Sequence, residues 1–207
     1  MITAEIHKKL NAGSNETGLH IKLQADKGSI TVIHGPSGAG KTTFLKILAG
    51  LTTPERGTIT VDGQVWLDTV NCINLSPQKR RTGFVFQQYA LFPNMTARQH
   101  LEYATTDAQW IERLLKTTNL ALFADRKPEY LSGGQQQRLA ILRAMAIKPD
   151  LLLMDEPFSA LDTPTKTNLV TDLKQLWDEL QTTVVIVSHY PQELTAIAAS
   201  ELYIGAV

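Results

Sequence analysis

The sequence predicts an α/β fold in which a parallel core sheet is flanked by antiparallel β structure and by a helical subdomain. Three observations carry that expectation. Residues 29–34 (SITVIH), 151–154 (LLLM) and 184–187 (VVIV) are short apolar or β-branched runs without alternation, as strands covered on both faces should be. Residues 57–61 (GTITV) and 64–67 (QVWL) flank Asp62-Gly63, the signature of a hairpin. Residues 97–126 carry a helical period with no strand pattern.

In chain order, the run at 29–34 stops at Gly35, and a glycine-rich stretch gives way to a helix-like segment at 44–51 (FLKILAGL). The hairpin follows and reads as a small antiparallel piece beside the core. In the helical insert, Leu101, Ile111, Leu114, Leu115 and Leu120 fall at inward positions, and the insert closes before Pro128. A helix after Ser132 sets Leu139, Leu142 and Met145 on one face and ends at Pro149. The strand at 151–154, a helix over 166–180 and the strand at 184–187 complete the chain. With no repeat or linker, the expectation is one domain over 1–207 with a helical subdomain at approximately 90–147.

Composition narrows the function. The 207 residues are 43% apolar and 19% charged, with 20 basic against 20 acidic side chains, the make-up of about one globular domain. No apolar run approaches the roughly 20 residues that cross a bilayer. The first ten residues lack a secretory pattern, and a single cysteine, Cys72, permits no internal disulfide. A cytoplasmic location is the expectation. Net charge of zero argues against a nucleic-acid partner held by many phosphate contacts.

Gly35-Pro36-Ser37-Gly38-Ala39-Gly40-Lys41-Thr42 satisfies the phosphate-loop pattern between a strand and a helix, where its chemistry requires it. Glycines let backbone N–H groups turn toward phosphate oxygens, and the helix start adds partial positive charge. Lys41 is placed to reach the β- and γ-phosphates, and the Thr42 hydroxyl to ligate Mg²⁺; Thr43 continues the same turn. The strand at 151–154 delivers Asp155 to the sheet edge as a second Mg²⁺-directed group. Glu156, directed the other way, is the candidate base for water attacking the γ-phosphate. The α/β fold is therefore of the P-loop NTPase kind.

Leu131-Ser132-Gly133-Gly134-Gln135 resembles the signature of ATP-binding-cassette (ABC) ATPases, and it precedes Asp155-Glu156 as in that family. Gln87 in FVFQQ resembles the Q-loop, Ser159-Ala160-Leu161-Asp162 the D-loop, and His189 in VIVSHY the switch histidine. Ser132 is a good N-cap, and Gly133 and Gly134 bare the N–H groups of a helix start, a second anion site. The resemblance implies a cassette fold and ATP hydrolysis with Mg²⁺. It also implies a two-fold dimer in which one copy's signature closes over ATP in its mate's phosphate loop. It makes Glu156 the base, His189 a γ-phosphate partner, Gln87 a sensor of Mg²⁺ and water, and Asp162 an organiser of the opposite site. Hydrolysis would weaken the closed pair and let it reopen.

Residues 75–96, with GTITVDGQVWLD before them, most resemble the molybdate-type importer group. That implies integral-membrane permease subunits, an indirect solute-binding protein, a peripheral place on the inner face of the membrane, and uptake of molybdate or a related oxyanion. Sulfate, polyamine or another solute stays open, as does a soluble non-transport ABC ATPase acting on nucleic acid or ribosomes. The sequence ends 18 residues after His189, so the C-terminal regulatory domain of many such subunits is expected to be absent. Residues 1–43 hold no Phe, Tyr or Trp, so the usual aromatic under adenine has no counterpart. His20 or an apolar side chain such as Leu10 is the candidate substitute, and weak base discrimination follows.

Tyr89, Leu91 and Phe92 are candidates to line a groove for a helix of the membrane partner, or else pack inside. Lys79, Arg80 and Arg81 read as a solvated basic face. Trp66, Trp110 and Trp177 read as packing residues. His7, His20, His34 and His100 read as surface or satisfied core histidines.

Overall fold

The computed structural model describes residues 1–12 and 15–205; side chains between residues 10 and 17, Leu10 included, lie outside that description. The unalternating runs form the centre of a parallel sheet. Its strands are β3 (Ile30–His34), β7 (Thr82–Val85), β8 (Leu151–Asp155), β9 (Thr183–Val187) and β10 (Ser200–Tyr203). They lie in the order β10-β3-β9-β8-β7, every neighbouring pair parallel.

Alternate side chains of the three central strands enter two different cores. Val32, Leu152, Met154, Val184 and Ile186 face one, while Ile33, Leu151, Leu153, Val185 and Val187 face the other. Because both faces are dry, no period of two survives in the sequence. The first core is closed by α4 (Gly133–Ala146) and α5 (Thr163–Leu180) together with the helical subdomain. The second is closed by α1 (Lys41–Leu48) and an antiparallel sheet.

That sheet is larger than the small piece expected. It orders β2 (Asn15–Ala25), β1 (Ile2–Ala12), β4 (Arg56–Val61), β5 (Gln64–Asp68) and β6 (Ile73–Asn74). The hairpin joins β4 to β5, and Asp62 and Gly63 take φ of 47° and 81°, the positive pair that a two-residue turn matched to strand twist requires.

The helical subdomain is strandless, with α2 (Ala97–Glu102) and α3 (Ala108–Thr117) capped by the side chains of Thr96 and Asp107. Leu101, Ile111, Leu114, Leu115 and Leu120 are all buried, as are the three tryptophans. α4 is buried nearly all round rather than on one face.

One reading is overturned. Lys79 and Arg81 are exposed, but Arg80 is 1% exposed. Its guanidinium donates to the carbonyls of Ile47, Leu48, Leu75 and Trp66 and to Asn74 Oδ1. A helix that starts at the phosphate loop leaves carbonyls to be satisfied at its far end; Arg80 donates to that of Leu48 and shares that of Ile47 with the Gly50 N–H.

Candidate functional site

Sheet register gathers the site. Ile33 pairs with Val187 and Val187 with Asp155, so β3, β9 and β8 end side by side. The phosphate loop leaves two residues after Ile33, His189 lies two after Val187, and Glu156 directly follows Asp155. All emerge at the carboxyl edge of a parallel sheet, the usual location for a ligand.

The loop's three glycines, Gly35, Gly38 and Gly40, all take positive φ. Gly35 has φ 146° and lies so close to the end of β10 that an added Cβ would fall 1.9 Å from the Ile204 oxygen. Gly40, the residue before α1, has φ 92°. Between them Pro36, Ser37 and Gly38 are exposed, Ala39 is buried, and Thr43 lies in the first turn of α1. Lys41 is 6% exposed, and its ammonium donates to the Gly35 and Pro36 carbonyls at 2.8 Å each. The lysine is thus held inside the loop.

Thr42 joins the loop to the neighbouring strand end, its hydroxyl donating to Asp155 Oδ2 at 2.7 Å. Asp155 is 3% exposed, and its other oxygen, Oδ1, is buried with no hydrogen-bond partner. Burial pushes its carboxyl pKa up, the Glu156 charge adds to this, and the Thr42 bond opposes it. A buried acceptor without a partner, next to a hydroxyl, fits a hard divalent cation such as Mg²⁺.

Glu156 follows with φ 50°, its N–H donating to the Val187 carbonyl at 3.0 Å. Each carboxylate oxygen meets a different element. His189 Nε2 is 2.7 Å from Oε1, and the Gln87 amide nitrogen donates to Oε2 at 3.2 Å. A cleft beside this trio is lined by Glu156, Ser159, Lys166, Ser188 and His189. The sequence singled out all three residues; the structure brings them into one cluster.

The signature opens α4. Ser132 Oγ accepts from the Gln135 N–H at 3.3 Å, and Gln135 Oε1 accepts from the Ser132 N–H at 2.9 Å, a closed capping box. Ser132 and Gly133 are exposed, and a Cβ on Gly133 would meet nothing within 4 Å. Gly134 instead backs onto Leu161, 2.8 Å from the place a Cβ would take. Asp162 caps α5, accepting from the Thr165 N–H and hydroxyl, which hold its carboxyl below its ordinary pKa.

Two residues escaped the sequence reading. Gln137, 1% exposed on α4, donates to the Glu156 carbonyl and Ser159 Oγ and accepts from the Ala160 N–H. It therefore fixes the segment between Glu156 and Asp162 to the signature helix. Arg143, also on α4, donates to the carbonyls of Tyr89 and Ala90, whose φ values are 60° and 49°. That contact ties the same helix to the stretch after Gln87. A glutamine and an arginine in a helical run carry no local sign of either duty.

Of the suggested groove residues, Tyr89 and Leu91 are half-buried against the core and only Phe92 is exposed, beside an exposed Tyr103. His100 is a satisfied core histidine: its Nε2 accepts from the Phe92 N–H, so Nδ1 carries the proton and donates to the Thr96 carbonyl. His20 stacks on His7 and meets Glu5 on the outer sheet, and Leu10 lies outside the described side chains.

Comparison with known proteins gives the family and the fold. Residues 19–159 match the family described as ABC transporter. The chain is 42% identical over 187 residues to the sulfate/thiosulfate import ATP-binding protein CysA of Mesostigma viride, covering 86% of this chain and 52% of that one. It is 40% identical over 200 residues to the molybdenum import ATP-binding protein ModC of Haemophilus ducreyi, covering 96% and 56%. The chain thus spans about half the length of the curated relatives it matches. Among solved structures, a dimeric post-hydrolysis ATP-binding cassette bound to ADP and Pi superposes with a TM-score of 0.83 at 33% identity, covering 99% of this chain and 94% of that one. Among the described residues, no helix is long and apolar enough to cross a membrane.

Proposed function

This chain belongs to the ABC transporter family, and on that premise we propose that it is the ATP-hydrolysing subunit of an importer. In this reading residues 1–207 form one cassette, with a helical subdomain at approximately 90–147. The observation that carries it is the Glu156 carboxylate, held between His189 and Gln87 directly after an Asp155 that is bonded to Thr42.

The residues from Gly35 to Thr43 cradle the triphosphate, with backbone N–H groups and Lys41 opposing its charge. Thr42, Asp155 and Gln87 are the groups that hold Mg²⁺, and the bare Asp155 Oδ1 supports that assignment. Held by these residues, such an ion would supply positive charge to offset that of the phosphates. Glu156 accepts the proton of the attacking water. Its two donors fix the carboxylate's orientation before substrate arrives, so little reorganisation remains for the reaction itself. His189, half exposed beside that carboxylate, lies where the γ-phosphate of the bound nucleotide would come within its reach.

The second anion site, at Ser132, Gly133, Gly134 and Gln135, has open space before it and acts on ATP held by a second copy. Asp162 and its neighbours lie at that same boundary. The dimeric solved relatives support a homodimer. The names of the relatives support transport of an oxyanion, molybdate or sulfate in class, through integral-membrane permease subunits and, indirectly, a solute-binding protein. The chain would then sit peripherally on the inner, cytoplasmic face of the membrane, with Phe92 and Tyr103 exposed for the permease. No nucleic-acid partner is proposed, in keeping with a net charge of zero.

The test is ATP turnover by Glu156→Gln, which keeps shape and removes the base. Loss of at least about a hundredfold is expected. Turnover equal to the natural chain would remove Glu156 from the chemistry. Lys41→Ala should lower nucleotide affinity, read by direct titration.

A further inference from the structure

We propose that Glu5, His7 and His20 form a binding site for a divalent transition-metal ion of the Zn²⁺ class on the outer face of the antiparallel sheet. The reasoning begins with strand register. His7 on β1 pairs directly with His20 on β2, and Glu5, two residues along β1, pairs with Lys22. A strand's side chains alternate with a period of two, so Glu5, His7 and His20 share one face. That face points outward: the intervening Ala4, Ile6, Leu19 and Ile21 are buried, while His7 and His20 are exposed.

The two imidazoles stack with centroids 4.0 Å apart and planes 14° from parallel. One ligand atom from each of the three residues lies within 4.8 Å of the others. His20 Nε2 and Glu5 Oε1 are 3.3 Å apart. Ligands about 2.0–2.1 Å from a tetrahedral Zn²⁺ are about 3.3–3.4 Å from each other. This pair already has the separation the ion requires; because the two rings are nearly parallel, one imidazole must also turn about its side-chain bonds to aim its nitrogen lone pair at the same ion. No backbone change is called for, because cross-strand partners stay adjacent.

Two imidazoles and one carboxylate suit Zn²⁺, Ni²⁺ or Cu²⁺ and not the hard ions Mg²⁺ and Ca²⁺, which prefer oxygen. The site is therefore chemically distinct from the Thr42–Asp155 pair. Glu5 already holds a cation, the Lys22 ammonium at 2.9 Å. That contact first, then His20, keeps its carboxyl below the usual pKa range. An ion would displace Lys22 and draw the two rings together. Arg56 pairs with His7 from β4, and its charge with that of Lys22 limits the affinity to the micromolar range. Exposure leaves the remaining coordination positions to water. An ion there joins β1 to β2 and stabilises the ligand-bound sheet by mass action.

The experiment is calorimetric titration of the chelator-treated, untagged full chain with Zn²⁺ alone, without nucleotide. One ion per chain at micromolar affinity is expected. The His7→Ala/His20→Ala double variant should lose affinity by at least about tenfold, while Cys72→Ser should bind as the natural chain does. Both histidines are exposed, so folding should survive the change, which thermal unfolding without metal verifies. Absence of binding at about 1 mM Zn²⁺, or equal affinity in the double variant, would overturn the proposal. Neither outcome touches ATP turnover, so the two functional readings stand or fall apart.

Discussion

Arg80→Met should destabilise the protein more than a change in a basic surface run would suggest. The guanidinium makes five hydrogen bonds, to the carbonyls of Ile47 (2.9 Å), Leu48 (2.8 Å), Leu75 (2.9 Å) and Trp66 (3.4 Å) and to Asn74 Oδ1 (2.9 Å). Burial pulls its pKa down, so part of each bond is offset by desolvation. A hydrogen bond to a charged group is worth about 1.5–3 kcal/mol net, and such values do not add within one network. Methionine fills the space yet leaves the Leu48 and Leu75 carbonyls without their donor, while those of Ile47 and Trp66 keep the N–H groups of Gly50 and Leu75, and about 3–5 kcal/mol is the expected loss. For a chain of this size that lowers Tm by roughly 10 °C. Arg80→Lys should fall between, since one ammonium cannot span α1, β5 and β6 together. Thermal unfolding by circular dichroism reads the effect. A fall of less than about 2 °C in Arg80→Met would mean that these bonds are exchanged for water at no cost and that Arg80 is not the clamp described.

Three further outcomes are expected. The Asp155 pKa is raised in the fold, so its contribution to stability is full below the unfolded value and is lost as pH rises through the folded one. Asp155→Asn should therefore melt a few degrees higher than the natural chain at neutral pH without ligand, and the order should reverse with Mg²⁺ and ATP. The His100 pKa is lowered, by burial first and by the Arg143 charge as well. Its contribution is present above about pH 6.5 and is lost as pH falls through the folded value, and Tm should drop between pH 7 and about 5.5 more steeply than in His100→Gln. Gln137→Leu should lower turnover more than nucleotide affinity, because the bonds it breaks hold the Glu156 segment; a change in affinity alone would argue otherwise.

Much of this was legible in the sequence for definite reasons. Phosphate chemistry demands glycines, a lysine and a hydroxyl at fixed spacing, so the loop at Gly35–Thr42 declares itself, while the stretch at Ser132 was legible through its resemblance to a known family. The strands that deliver the site are buried on both faces and read as plain apolar runs. Strand β1 carries its own signal as well, in the alternation of Ile2, Ala4 and Ile6 with polar residues. The edge strands β7 and β10 are four residues each, too short for any period. Arg80, Gln137 and Arg143 stayed hidden for a different reason. A polar residue that satisfies backbone groups from another element looks, in sequence, like any solvated one.

The most direct measurement is the mass in solution of Glu156→Gln with Mg²⁺ and ATP, by sedimentation equilibrium, set beside the double variant Gly133→Glu/Glu156→Gln. Gly133 is exposed with open space at its Cα, and a carboxylate at a helix start is tolerated by the chain itself. If each signature closes over its partner's triphosphate, the first protein is a dimer with ATP and a monomer with ADP, and the second is a folded monomer with either. A monomer in every nucleotide, or a dimer that the charge at position 133 leaves intact, would contradict it.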